Sequence, residues 1–332
     1  MDRMVSVSIV VPCYNEQATI GQLLEAIYQQ SYPRHDLEVI IADGLSTDAT
    51  REVIKEFQKG HPDLAIRVVD NQKRIIPAGL NLAIEGARGD YIVRLDAHSI
   101  PEKNYIALCI DSLASGRGEN VGGVWEVTPQ GEGWIARSIA LAAVHPMGVG
   151  DARYRLGGLA QWVDTVPFGA FERSIFQKIG FFNEKLLTNE DYEFNVRIRQ
   201  AGGKIWLDPN IRSKYYSRPS LGALARQYWR YGYWKAQMLR KYPGSIRWRQ
   251  LLPPSLVLSI IILMAGSIVF PFLRSGLYGV SGLYFLALLL AGIQAGVNQR
   301  FLPYLLGIPL AIATMHLMWG SAFLWGLLGR HK

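Results

Sequence analysis

No aspartate or glutamate occurs after Asp208, and the last quarter of the chain is built from apolar runs. Leu251–Leu273 has no charged residue. Gly276–Gln299 and Phe301–Gly329 follow the same pattern, with Arg274 and Arg300 the only charges between the runs. About 20 apolar helical residues cross the hydrocarbon core of a bilayer. The first two runs meet that length with aromatic residues near their ends, as interfacial anchoring requires. Pro303, Gly307 and Pro309 interrupt the third, which is expected either to kink through the membrane or to re-enter it. The soluble alternative, a buried hairpin, is a poor fit to so long an acid-free stretch.

This feature divides the chain. The overall balance of 35 Lys+Arg to 27 Asp+Glu hides an asymmetry. The first 211 residues carry 21 bases against 27 acids, and the remaining 121 carry 14 bases and no acid. Ten of those bases lie in 212–250, interleaved with Tyr and Trp. The expected organisation is a mildly acidic domain over 1–211, a basic amphipathic interfacial segment over 212–250 and a membrane domain over 251–332. The basic-aromatic stretch Arg226–Lys235 would also suit single-stranded nucleic acid, but the apolar runs beside it favour membrane lipid, so no nucleic-acid partner is expected. Val7–Val11 is too short for the core of a signal peptide. Cys13 and Cys109 suggest no disulfide framework, consistent with a reduced compartment. The bases ahead of the first span place that domain in the cytoplasm.

The first 211 residues alternate strands and helices. Val7–Val11, Glu38–Ala42, Ile66–Val69 and Tyr91–Leu95 read as strands. Helical spacing recurs at Ile20, Leu23, Leu24 and Ile27, over Ala49–Gln58 and over Pro77–Ala87. This α/β pattern implies a mostly parallel sheet with helices on both faces. Ligands of such sheets bind beyond the carboxyl ends of the strands. Past residue 117 the alternation breaks. Val121–Val127 reads as a strand, Trp134–Val144 as a helix, Gly148–Gly158 as a loop, Glu190–Ala201 as a helix and Lys204–Leu207 as a short strand. Neither the dinucleotide glycine fingerprint nor a phosphate-binding P-loop follows the first strand, which argues against an NAD or ATP fold.

Four stretches carry candidate chemistry. Pro12-Cys13-Tyr14-Asn15-Glu16 and Asp43-Gly44-Leu45-Ser46-Thr47-Asp48 follow adjacent strands. Their acids could accept hydrogen bonds from a base and ribose, with Tyr14 against the base; ordinary turn chemistry is the alternative. In Arg94-Leu95-Asp96-Ala97-His98, Asp96 and His98 could both reach one Mg²⁺ or Mn²⁺ on a diphosphate, or Asp96 could simply cap a turn. In Thr188-Asn189-Glu190-Asp191 the acids suit a capping box and the helix dipole, or Asp191 is a general base. In Arg226–Lys235, Arg230 could meet a diphosphate.

Together these stretches resemble the inverting family 2 glycosyltransferases with a GT-A fold, over about residues 5–235. The closest resemblance is to the succinoglycan-biosynthesis glucosyltransferase subgroup of bacterial exopolysaccharide assembly. The opening motif stands as Val10–Glu16. The second nucleotide motif stands as Asp43–Asp48, with Leu45 inserted. The Asp-x-Asp metal motif stands as Asp96-Ala97-His98, and the Glu-Asp pair as Glu190-Asp191. The Gln-x-x-Arg-Trp motif of processive synthases stands as Gln227-Tyr228-Trp229-Arg230-Tyr231, with Tyr in place of Trp.

The resemblance implies a membrane-bound, metal-dependent transferase moving a hexose from UDP-glucose to a polyprenyl-diphosphate-linked saccharide. Pro12, Tyr14, Asn15, Glu16, Asp43, Ser46, Asp48 and Asp96 would hold the donor, and Asp96 and His98 the Mg²⁺ or Mn²⁺. Asp191 would be the base, with Glu190 and Arg230 beside the reaction. It implies a multi-pass protein of the bacterial inner membrane with the catalytic domain facing the cytoplasm. A polyprenyl-phosphate glycosyltransferase, a processive synthase and a sugar-binding scaffold remain alternatives.

Overall fold

The computed structural model describes residues 6–329. They form two compact units, one of residues 6–126 and 157–215, the other of 127–156 and 216–329. Residues 127–156, read above as part of the N-terminal domain, cluster with the apolar tail.

The first unit opens with β1 (Val7–Cys13), α1 (Ile20–Tyr28), β2 (Leu37–Asp43), α2 (Thr50–Gly60), β3 (Ala65–Asp70), α3 (Ile76–Glu85) and β4 (Tyr91–Arg94). Every residue of β1 is buried, because β1 lies inside the sheet between β2 and β4, parallel to both. A strand covered on both faces needs the continuous apolar run seen there. α1 turns Ile20, Leu23, Leu24 and Ile27 into the same core.

After β4 come β5 (Ile100–Pro101), α4 (Tyr105–Ala114) and β6 (Asn120–Pro129). The chain then forms three helices of the second unit, α5 (Trp134–Ala142), α6 (Pro146–Val149) and α7 (Arg153–Leu156). It returns as β7 (Gln161–Trp162), β8 (Ala170–Glu172), α8 (Ser174–Ile179), α9 (Glu190–Gln200) and β9 (Ile205–Ser217). The nine strands make one sheet in the order β3-β2-β1-β4-β8-β6-β9-β5, with β7 on β9.

The parallel part of the sheet is the part that the alternation revealed. β8 pairs antiparallel with β4 and β6, and β5 and β7 pair antiparallel with β9. Several of these strands are two or three residues long, too short for a period-two signal. Two expected boundaries move. Residues 212–217, read as the start of the amphipathic segment, belong to β9, where Ile211 and Ser213 face in and Arg212 and Lys214 face out. The expected loop Gly148–Gly158 contains the second half of α6 and all of α7.

The second unit continues with α10 (Leu221–Lys241), α11 (Trp248–Val269), α12 (Leu273–Asn298) and α13 (Tyr304–Leu328). The last three are long and apolar enough to cross a membrane. Ile139 and Ala142 of α5, Leu224 of α10, Leu288 and Ala291 of α12, and Ile308, Ile312 and Met315 of α13 share one apolar cluster.

Candidate active site

The carboxyl ends of β1, β2 and β4 place three loops on one edge of the first unit. The first two are stitched together. Asn15, in the left-handed region at φ 54°, donates its backbone N–H to Ser46 Oγ at 2.9 Å and accepts from Thr47 N–H at 2.8 Å. Asp48 accepts from the Gln17 and Thr50 backbones at 3.2 and 3.1 Å. The inserted Leu45 takes φ 60°, which bulky residues rarely adopt. Of the residues expected to hold a donor, Asn15, Ser46 and Asp48 therefore use their side chains to shape the rim.

Asp43 closes the second loop from inside. It is fully buried, with Ser46 Oγ at 2.5 Å from Oδ1 and Arg51 Nε at 2.5 Å from Oδ2. Arg51 also binds Asp70 at 2.6 Å. A carboxylate so engaged organises its loop. Pro12 is buried within β1, opposite Ala42 of β2. Tyr14 is 47% exposed, and its ring lies against Gly44, where a Cβ would come within 3.2 Å of Cδ2. The neighbouring Cys13 thiol is pushed up to about 12 by burial and by the charges of Asp43, Glu16 and Asp48. Cys13 and Cys109 are both free and buried.

The third loop meets the first at Glu16, whose Oε1 lies 3.1 Å from His98 Nδ1. Burial pushes the Glu16 carboxyl up, but hydrogen bonds from His98 and Thr19 outweigh it and hold the group below its ordinary range. With Nδ1–H directed at a carboxylate, a neutral His98 carries its lone pair on Nε2, the arrangement of a carboxylate-oriented metal ligand. Among the described residues, no group of three or more His, Cys, Asp and Glu is arranged to hold a metal ion. One carboxylate and one imidazole fit a cation that takes its other ligands from diphosphate oxygens and water, with Mn²⁺ accepting the nitrogen more readily than Mg²⁺.

At the centre lies a residue to which sequence reasoning assigned no role. Arg94, 4% exposed, donates Nη2–H to Glu190 Oε1 at 2.8 Å, and both Nη2 and Nε to Asp96 Oδ1 at 3.2 and 3.3 Å. It joins the end of β4 to the start of α9 across 96 positions of sequence. Its backbone N–H donates to the Gly169 carbonyl at 3.0 Å. Its Nη1 is buried with no hydrogen-bond partner in the structure. The two acids, with Asp191 close by, hold the guanidinium charged despite burial. A lone arginine ending an otherwise apolar strand was the available signal.

The loop before α9 is fixed from behind. Asn81 exchanges two hydrogen bonds with the Phe182 backbone, at 3.0 and 2.9 Å. Asn189 then takes φ 67° as the first residue of the turn into α9, and its side chain does not cap the helix. Glu190 is buried against Arg94, and Asp191 follows it, half-buried. Tyr192 N–H donates to Asp191 Oδ1 at 2.7 Å. Burial and then the neighbouring Glu190 raise the Asp191 carboxyl to about 6, against the opposing charge of Arg94. Arg230 lies in α10, in the second unit, exposed.

The sequence profile described as "Glycosyl transferase family 2" matches residues 8–180. The "Succinoglycan biosynthesis protein ExoA" of Rhizobium meliloti (strain 1021) is 31% identical over 327 residues, covering 97% of this chain and 96% of that protein. A Methanococcus voltae protein is 28% identical over 330 residues, covering 97% of each chain. It is named dolichyl N-acetyl-alpha-D-glucosaminyl phosphate 3-beta-D-2,3-diacetamido-2,3-dideoxy-beta-D-glucuronosyltransferase. Among solved structures, a mannosyltransferase from Pyrobaculum calidifontis in complex with GDP-Man and Mn²⁺ shares the fold. Its TM-score is 0.62 at 21% identity, over 98% of this chain and 88% of that one.

Proposed function

The chain belongs to glycosyl transferase family 2, and from that premise we propose that it transfers a hexose, glucose, from a UDP-sugar to a lipid-linked saccharide, with inversion at the anomeric carbon. The observation that carries this reading is the cluster of Asp96, Glu190 and Asp191 around buried Arg94, at the edge where a parallel sheet binds ligand. Tyr14 offers its exposed ring to the base, and Pro12, Asn15, Glu16, Asp43, Ser46 and Asp48 set the walls of the nucleotide site. Asp96 and His98 would hold Mg²⁺ or Mn²⁺, which when bound neutralises charge on the diphosphate.

Asp191 accepts the proton of the acceptor hydroxyl as that oxygen forms its bond to the anomeric carbon. The bond from that carbon to the diphosphate breaks, and the nucleoside diphosphate leaves with the electron pair. A base raised to about 6 is ionised at neutral pH yet basic enough to take that proton. Arg94 keeps Glu190 and Asp96 in place as like charges gather.

Support for a lipid-linked acceptor comes from the Methanococcus voltae relative, whose name gives a dolichyl phosphate-linked sugar as its acceptor. It also comes from the apolar helices, which would hold the enzyme where such acceptors reside. The protein is then a multi-pass protein of the bacterial inner membrane, with its catalytic unit in the cytoplasm.

The test is transfer of label from radioactive UDP-sugars into the lipid fraction, using membranes that carry the protein, lipid extract and Mn²⁺ or Mg²⁺. Label from UDP-glucose that disappears with EDTA, with Asp96→Ala and with Asp191→Asn is the expected result. No label from any donor would overturn the reading. Undiminished turnover by Asp191→Asn would replace it with transfer to a polyprenyl phosphate, where no hydroxyl base is needed.

A further inference from the structure

The second unit contains three helices of spanning length, but its packing ties the last of them to a charged helix. α10 and α13 run parallel and touch along most of their length. Leu224 shares an apolar cluster with Ile308, Ala311 and Ile312. Further along, Gly232 lies against the Trp319 carbonyl, and Gly326 against Ala236 and Tyr233. Small residues at both crossings let the backbones come this close. In the last turns, Gln237 donates to the Gly326 carbonyl at 2.9 Å, and Arg240 to the Gly326 and Leu327 carbonyls at 3.0 and 2.7 Å. In a bilayer the two helices must therefore share one orientation. α10 exposes Arg226, Arg230, Arg240 and Lys241, and Arg226 and Arg240 are about 21 Å apart along the axis. An upright α13 would string those charges through hydrocarbon, where they are strongly disfavoured.

The remaining contacts of α13 agree. α11 and α12 form an antiparallel hairpin, with Gly266 against Leu273, Gly276 against Leu263, and the turn at Phe270–Phe272. α13 meets this hairpin between its middle and its open end. Gly292 lies against the Leu305 carbonyl, Gly320 against the Pro253 carbonyl, and Tyr284 Oη is 3.1 Å from His316 Nδ1. His316 Nε2 donates to the Met147 carbonyl at 2.9 Å, and Asp151, four residues on, pairs with Arg249 in the first turn of α11 at 2.5 Å. The middle of α13 is thus linked to the start of α11 through one short segment. α5 joins the same layer, with Ser138 against Gly307.

We propose that α11 and α12 alone cross the bilayer, and that α10, α13 and α5 form a platform lying in the headgroup plane of an anionic leaflet. Charge supports that occupant. The exposed charges of α10 are all positive, and Arg247, Arg249 and Arg300 gather at the open end of the hairpin, against Arg274 alone beside its turn. The end of α13 then stays on the same side as these bases.

The test uses the full chain in sealed right-side-out and inverted membrane vesicles with a membrane-impermeant maleimide, and needs no transfer reaction. Single cysteines replace Gly329, Glu132 and Ser275, against a background of two buried native thiols. Gly329→Cys and Glu132→Cys labelled from one face, with Ser275→Cys labelled from the other, is the expected result. Gly329→Cys sharing the sidedness of Ser275→Cys would overturn the proposal, as would all three reacting from one face. Leu328→Cys serves if Gly329→Cys fails to accumulate. Nitroxide labels at Leu310, Leu317 and Leu328, which lie on one exposed stripe, should report one depth. A steady change of depth from 310 to 328 would also overturn it.

Discussion

At the scale of single residues, the proposed chemistry turns on Asp191 and Arg94. The carboxyl of Asp191 is raised to about 6, so its ionised, proton-accepting form is lost as pH falls through that value. Transfer should therefore show an acid limb near pH 6 in kcat/KM, with turnover rising above it. Asp191→Asn should lower kcat by roughly 10²–10⁴-fold at all pH values, the range expected for removal of a general base.

Arg94 opposes the rise of Asp191, so Arg94→Met should move the acid limb upward, making the loss of activity larger at pH 6 than at pH 8. The same change leaves two carboxylates uncompensated, and unfolding should require about 3–5 kcal/mol less. Arg94→Lys keeps the charge and should keep the limb near its original position while losing the fork that reaches both acids. A pH–rate profile of both variants, with denaturant melts, separates these effects.

At the scale of elements, the site depends on how α9 begins. Asn189 turns the chain through φ 67° so that Glu190 reaches back to Arg94 and Asp191 follows it. Asparagine tolerates that conformation, and a β-branched residue does not. Asn189→Val should destabilise the protein by about 1–2 kcal/mol and depress turnover, more than Asn189→Gly does. Thermal melts and initial rates check this.

Most of the strands and helices that bear the site were legible from periodicity, because β1, β2 and β4 are buried on both faces and their helices are amphipathic. The loops' internal order was not. That Asp43 would face inward to Ser46 and Arg51, and that Asp48 and Asn15 would stitch two loops, depends on which donors the fold brings near. Turn residues of the same types serve either purpose.

For the whole molecule, the separation of an acidic unit from a basic and apolar one makes attachment to membranes intrinsic. The protein should stay in the membrane pellet through an alkaline carbonate wash and enter solution only with detergent, since a hairpin of α11 and α12 buries its apolar surface in lipid. Recovery in the carbonate supernatant would show that the hairpin does not insert.

By itself the sequence determined the class of this molecule. Acid-free runs of spanning length allow few soluble folds. Alternating buried strands and amphipathic helices demand a sheet with parallel strands. The motifs at the strand ends resemble one enzyme family strongly enough to name it. Only the tertiary structure joined Arg94 to Glu190 and Asp96, sent residues 127–156 to the second unit, and bound α13 to α10 along its length. Hydropathy and spacing report what each segment does with its own near neighbours. An ion pair across 96 positions, or a helix whose depth is set by the charges of another, depends on contacts that no local pattern encodes.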